Sequence, residues 1–465
     1  MGCLDKINVM AIFGVAALTG CGSVGMQGDI GVTPGGSQDI DYARELIANG
    51  MIPLEGDFSA EGLFSEHNLP LTGTPCNQIL CPRAAATTID PIDDSGPQTL
   101  VQLGFGTSMN EMERPPLNLA IAVDVSGSMT GDKIEAVRDA MHAVVDQLDE
   151  DDTMALIKFA TASKLVKGRT KMDSSGRQAM DQAIDRLKAG GGTNIEKGLE
   201  QAYGQVAPQA GNKDLGHRVM LLTDAQPNIG ATDVDSFLGM ARLYGASGIG
   251  ISIFGVGLDL GSELAQEVSK VRGGNYFYLE DADAIRQVFT EEFDYIVTPL
   301  AYDLQVNTET VNDDYALNRA FGAPLDDLSA EVDFGASTLF PSKRQGGIGV
   351  TFFGAGPEVA TLSLSYLPVG DNTYVEEELV VEANTEQPGV TKMAVLLDEF
   401  LALETGAAYC AGTLDNLTAE ARIEEAALRL AELSDTLGDD PLYDEALLME
   451  ALRDNIGNGT CNGGY

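Results

Sequence analysis

The chain has 465 residues, 71 acidic and 28 basic, for a formal net charge of −43, with a hydrophobic fraction of 44%. Such a surface repels nucleic acid and anionic lipid headgroups, and no basic stripe is evident to offset it. Nucleic-acid binding is therefore excluded, and an excess of acid reads most simply as solubility in a salty or cation-rich medium. No segment fits the D-x-[DN]-x-[DN]-G calcium loop. The length exceeds what one hydrophobic core fills, so several domains are expected.

At the amino terminus Lys6 precedes an apolar stretch from Ile7 to Leu18, followed by Thr19, Gly20 and Cys21. A short apolar segment closed by small residues reads as a secretion signal, too short to span a membrane as a helix. Leu18-Thr19-Gly20-Cys21 resembles the bacterial lipobox, whose Cys is acylated and becomes residue one of the mature protein. The competing reading is an ordinary cleaved signal with an incidental Cys. The resemblance implies a signal peptide over 1–20, a lipid on Cys21 and a bacterial cell-envelope location facing periplasm or cell surface. Residues 21–40, rich in Gly, Ser and Pro, then read as a flexible tether.

Residues 41–114 form an amino-terminal region with a helix over Asp41–Asn49, loops punctuated by Pro, Gly and Cys to about residue 85, and a strand over 99–106. With Cys3 leaving in the signal and Cys21 lipidated, Cys76, Cys81, Cys410 and Cys461 remain. Four cysteines allow three connectivities, and an oxidising compartment favours disulfides. The shortest pairing is local, Cys76–Cys81 and Cys410–Cys461. A zinc site is the weaker alternative, because neither pair has C-x₂-C spacing and no His lies near.

Residues 117–129 run Leu-Asn-Leu-Ala-Ile-Ala-Val-Asp-Val-Ser-Gly-Ser-Met. An apolar run cut off by Ser and Gly suggests a strand buried on both faces of a parallel sheet, with its loop at the carboxyl edge where open α/β sheets bind ligands. Asp124, Ser126 and Ser128 offer oxygens only, a set suited to a hard divalent cation such as Mg²⁺, with Mn²⁺ or Ca²⁺ as alternatives. Two later segments add ligands: Thr193 follows three glycines at the start of a helix, and Asp224 ends a second apolar strand over 218–224. Five oxygen ligands leave at least one position open around a six-coordinate ion. Ordinary caps and turns use the same residue types, so the case rests on all three loops together.

The intervening pattern alternates helices (131–149, 175–188, 194–206, 233–244, 260–271 and 281–294) with strands (153–160, 249–256 and 276–279). Ile134, Val137, Met141, Val144 and Leu148 form the buried stripe of the first helix. The fold class expected is α/β, a doubly wound, mostly parallel sheet.

Residues 115–297 resemble a von Willebrand factor type A (VWA) domain, with Asp124, Ser126, Ser128, Thr193 and Asp224 matching its metal-ion-dependent adhesion site (MIDAS). The resemblance implies a Rossmann-like domain that binds rather than catalyses, its metal receiving an Asp or Glu carboxylate from a partner protein. Ala225 departs from the Gly that often follows the last Asp, outside the ligand set. The segment 43–53 and the residues Glu113-Arg114-Pro115-Pro116-Leu117-Asn118-Leu119 are similar to a bacterial group of VWA lipoproteins with extra regions before and after that domain.

Residues 298–388 turn rich in β-formers, with strands at 348–353, 362–366 and 374–381, and read as a β-sandwich. Because a VWA sheet is entered and left at the end opposite its metal loops, strand 99–106 is expected to join this sandwich, an arrangement similar to integrin β subunits. Residues 389–465 switch to three helices, with a cap signature at Asp440-Pro441, expected to pack as a clamp on the sandwich or the VWA domain.

Enzymatic signatures are absent from these motifs. A phosphatase-type Asp nucleophile needs a second Asp where Ser126 stands, and neither serine fits G-x-S-x-G. Gly127 to Lys133 is misspaced for a phosphate-binding loop. His67, His142 and His217 are scattered and read as structural or solvated. A lipid-anchored, metal-dependent binder is the leading expectation; a metal-stabilised envelope scaffold without a ligand at the site is the alternative.

Overall fold

The computed structural model describes residues 30–109, 112–224, 234–256, 267–279, 282–310, 314–323, 332–458 and 460–462. The signal, Cys21 and most of the helix expected over 260–271 lie outside the described residues.

The central domain is a seven-stranded sheet in the order Ser37–Gln38, Gly274–Leu279, Ile249–Val256, Gly216–Thr223, Leu117–Asp124, Thr153–Phe159 and Ser163–Lys171. All neighbours are parallel except the last pair. The period of two along Leu117–Asp124 sends Leu119, Ile121 and Val123 to one core, with helices Asp132–Gln147 and Ser174–Ile184. Ala120 and Ala122 face the other core, with Ile195–Val206. Small residues there admit a close helix: a Cβ on Gly198 would sit 2.6 Å from the Phe159 ring.

Two antiparallel sheets form the sandwich. One has the order Gly31–Pro34, Phe334–Ser342, Ala301–Glu309, Glu358–Pro368, Val375–Glu382; the other runs Tyr315–Phe321, Ile348–Gly354, Gln98–Gly106, Cys81–Ile89. Val101, Leu103 and Phe105 share a core with Leu304, Leu339 and Leu364 of the opposite sheet. Gln98–Gly106 pairs antiparallel with Ile348–Gly354, Leu103 opposite Ile348, so segments before and after the parallel-sheet domain close one sandwich. Leu100 and Ala85 point the other way, onto helices Ala60–Glu66 and Pro388–Cys410. Helices Asn416–Leu437 and Asp440–Asn458 complete that layer, so the carboxyl-terminal helices cover the sandwich.

Several sequence expectations change. The tether expected over 21–40 does not extend through 30–40: Gly31–Pro34 pairs with Phe334–Ser342, Ser37–Gln38 pairs with Tyr276 and Phe277, and a helix begins at Ile40. Its glycines serve close approach, since a Cβ on Gly31 would lie 1.9 Å from the Arg344 carbonyl and one on Gly36 2.4 Å from Asn275. Cys81–Ile89, read in part as loop, is a strand paired along its length with Gln98–Gly106. It is an edge strand, where Pro82 costs no ladder bond. Ser163–Lys171 is a strand not expected from its sparse apolar content. The helix expected over 281–294 breaks into Ala282–Glu291 and Phe293–Val297. The last cap lies one residue earlier, where the Asp439 carboxylate accepts the Leu442 N–H at 3.3 Å.

Candidate metal centre

Asp124 ends the central strand with its side chain fully buried. Its two carboxylate oxygens accept the Ser126 backbone N–H and the Thr223 hydroxyl, both at 2.7 Å. The hydroxyls of Ser126 and Ser128 lie 2.9 Å apart, and Ser128 donates to Asp224 at 2.8 Å. Asp224 is also fully buried, and its second oxygen holds the Lys133 ammonium at 2.7 Å. Four of the five expected ligands are thus joined in one chain of hydrogen bonds.

The fifth, Thr193, is buried beside Asn194, which caps helix Ile195–Val206 by accepting the Lys197 N–H at 3.1 Å. Its loop is fixed to the first by two backbone bonds, Gly127 N–H to the Gly191 carbonyl at 2.9 Å and Gly190 N–H to the Val125 carbonyl at 2.7 Å. The glycines are needed here: Gly190 and Gly191 have φ of 152° and 107°, and a Cβ on Gly191 would meet Ala160 at 3.3 Å.

The donor set fits a hard divalent cation. Among the described residues, two buried carboxylates face one partly exposed ammonium, a local excess of negative charge. Each hydroxyl can turn a lone pair toward a cation, and no nitrogen or sulfur competes. Burial pushes the Asp124 carboxyl above its ordinary range; the Thr223 and Ser126 hydrogen bonds pull it down, and Asp224 adds to the rise. A divalent ion would offset that burial and repulsion. Thr223 and Lys133 were not singled out from sequence as part of this site. Their signals were a hydroxyl directly before the last Asp and a lysine in the first turn of the helix after the metal loop, a position the helix dipole disfavours for a cation.

Cys76 is bonded to Cys81, and Cys410 to Cys461. His67 is buried 3.2 Å from Glu445, and His142 contacts Asp181 and Asp185 at 2.9 and 3.2 Å. His217 accompanies Asn118 and the Asn212 carbonyl. None of the three reaches the Asp124 network.

Residues 118–291 match the family model of the von Willebrand factor type A domain, and this segment is a VWA domain. The chain is 31% identical over 199 residues to Uncharacterized protein YfbK of Escherichia coli (strain K12), covering 42% of this chain and 34% of that protein. It is 30% identical over 180 residues to Uncharacterized protein sll0103 of Synechocystis sp., covering 39% and 41%. The chain therefore spans well under half the length of these relatives. Among solved structures, von Willebrand factor type A from Catenulispora acidiphila superposes with a TM-score of 0.54 at 16% identity, over 83% of this chain and 99% of that one. That likeness of fold extends beyond the VWA segment.

Proposed function

We propose that this protein is a non-enzymatic, metal-dependent binder of the bacterial cell envelope, in which Asp124, Ser126, Ser128, Thr193 and Asp224 hold a divalent cation, most simply Mg²⁺. When bound, the cation supplies a Lewis-acidic position for a partner protein's Asp or Glu carboxylate. The observation that carries this reading is the closed hydrogen-bond chain from Thr223 through Asp124, Ser126 and Ser128 to Asp224, with the Lys133 ammonium where positive charge is demanded. Asp124 and Asp224 provide the charge, the serines set its geometry, and Thr193 comes in on a loop pinned by the glycines. These residues are read as holding a ligand, and His67, His142 and His217 all lie outside the Asp124 network.

The envelope location rests on the lipobox-like Leu18 to Cys21 and on the two disulfides, which suit an oxidising compartment. Among the described residues no helix is long and apolar enough to cross a membrane. Attachment through a lipid on Cys21 rests on the lipobox-like segment.

Pull-downs from envelope extract in Mg²⁺, in EDTA, and with Asp124→Ala test the reading. Partners retained only by the parent protein in Mg²⁺ are expected. Recovery of the same proteins in all three would refute adhesion, and a Mg²⁺-dependent rise in Tm without such partners would favour the scaffold alternative.

A further inference from the structure

The net charge of −43 hides one stretch of opposite sign. Residues 158–171 contain Lys158, Lys164, Lys167, Arg169 and Lys171 and no acidic residue, which corrects the expectation that no basic stripe exists. The last four lie on Ser163–Lys171, the edge strand of the seven-stranded sheet, paired only on its Thr153–Phe159 side. Lys171 reaches the exposed Asp151 at 3.2 Å. Lys158, Lys164, Lys167 and Arg169 have no carboxylate in ion-pair contact among the described residues. In a chain with more than two acids for every base, four neighbouring cations without an acidic partner among the described residues mark a locally basic surface.

A second edge has the reverse character. Val375–Glu382 closes the five-stranded sheet, pairs with Glu358–Pro368, and carries Glu376, Glu377, Glu378 and Glu382 with no base. Glu376 and Glu378 are exposed, have no cationic partner among the described residues, and line a polar trough with Ser363, Ser365, Gln305 and Asn307. Val380 beside them is 54% exposed. The molecule thus presents a basic edge of 9 residues and an acidic edge of 8, each ladder-paired on one side only among the described residues.

We propose that these edges are the two halves of one contact between copies of this chain, the acidic strand Val375–Glu382 of one molecule adding to the basic strand Ser163–Lys171 of the next. Backbone pairing supplies the adhesion, and cross-strand Lys–Glu and Arg–Glu neighbours select the partner edge. Lysines on an edge keep like edges apart. Here they bar basic-on-basic pairing and the glutamates bar acidic-on-acidic pairing, which leaves the mixed contact. Because the two patches differ, the association is head-to-tail and extends unless its rotation closes a ring.

Ionic strength has a distinctive effect. At about 0.01 M salt the Debye length is roughly 30 Å and whole-molecule repulsion opposes contact; at about 0.15 M it is roughly 8 Å and only facing strands interact; at about 1 M even these are screened. Sedimentation velocity on the full chain is therefore expected to show concentration-dependent association that peaks near physiological salt and is insensitive to EDTA, which separates this contact from the metal site. Lys164→Glu with Arg169→Glu, or Glu376→Lys with Glu378→Lys, should each weaken self-association by roughly tenfold or more. Mixing the two variants should restore it, because reversed edges then match across molecules. A chain monomeric at every concentration, association that survives either reversal, or a mixture of folded variants that stays apart overturns the proposal. If a reversal variant does not fold by circular dichroism, Lys164→Gln with Arg169→Gln makes the same test. Binding of an acidic peptide by a chain that never self-associates would assign the basic edge to a different protein.

Discussion

Two buried clusters of carboxylates are neutralised in different ways. At the metal loops, Asp124 and Asp224 are held by hydroxyls and by one ammonium, Lys133, whose side chain is 34% exposed. At the helical cluster, Arg44 binds Asp41 at 2.7 Å and also Glu66 and Glu445, while His67 lies 3.2 Å from Glu445. Glu399 is fully buried beside them, and burial keeps its carboxyl protonated well above the ordinary range. Burial also favours neutral His67, lowering its pKa against the pull of Glu445. The guanidinium fixes residues far apart in sequence through several directional charged hydrogen bonds. The hydroxyl-rich cluster stays open to a cation, because a hydroxyl can trade a protein hydrogen bond for a metal bond and a guanidinium pair cannot. Carboxylates alone do not distinguish a binding site from a structural cement; their partners do.

The strongest test of that contrast is Arg44→Met, which strands Glu66 and Glu445 without their cation and should cost about 3–5 kcal/mol in denaturant unfolding. A loss under about 1 kcal/mol would remove the cement role. The Cys410–Cys461 bond closes the same helical region across a separation of 51 residues. Replacing both with Ser should cost about 4 kcal/mol by chain entropy, and the same change at Cys76 and Cys81, separated by 5, only about 2 kcal/mol. Equal losses in urea melts would show that native contacts, and not loop length, set the effect.

At the metal loops, Asp124→Asn should weaken Mg²⁺ binding by roughly a hundredfold, about 2.7 kcal/mol in calorimetry. The Tm of the metal-free protein should hold or rise, because one of two facing buried carboxylates becomes neutral. A lowered metal-free Tm with unchanged Mg²⁺ affinity would reverse the roles of the two clusters. The smallest effect concerns Glu399. Its folded pKa is raised above the ordinary 4.5, so its contribution to stability is complete below about pH 4.5 and is lost as pH rises through the elevated value. Near pH 4.5 Glu399→Gln should change stability by less than about 1 kcal/mol. Above that the variant should lose less stability than the parent as pH rises, flattening the decline in melts of both proteins. An identical pH slope in parent and variant would show that Glu399 does not titrate there.

Local patterns carried much of this in the sequence. Asp124, Ser126, Ser128, Thr193 and Asp224 were legible because each ends a strand or opens a helix whose periodicity is plain. The entry of 99–106 into the sandwich followed from sheet topology. Lys133 was not legible, because a lysine in an early helical turn has no mark of its target until the helix is placed over Asp224. The glycines at 31 and 36 misled for a related reason: composition cannot separate a glycine that gives freedom from one that admits a neighbour. The strand at 81–89 was obscured by Pro82 and three alanines, tolerable because the strand is at an edge and its partner supplies the ladder.

By itself, then, the sequence determined the VWA domain, the set of candidate metal ligands and the flanking β and helical regions, since these follow from hydrophobic period and from residue chemistry at element ends. Only the tertiary structure decided that residues 30–38 join the VWA sheet to the sandwich, that Arg44 and not a metal neutralises the helical cluster, and that a basic and an acidic strand stand at sheet edges. Those are relations between segments hundreds of residues apart, and they depend on which backbone rows and charges the completed packing covers.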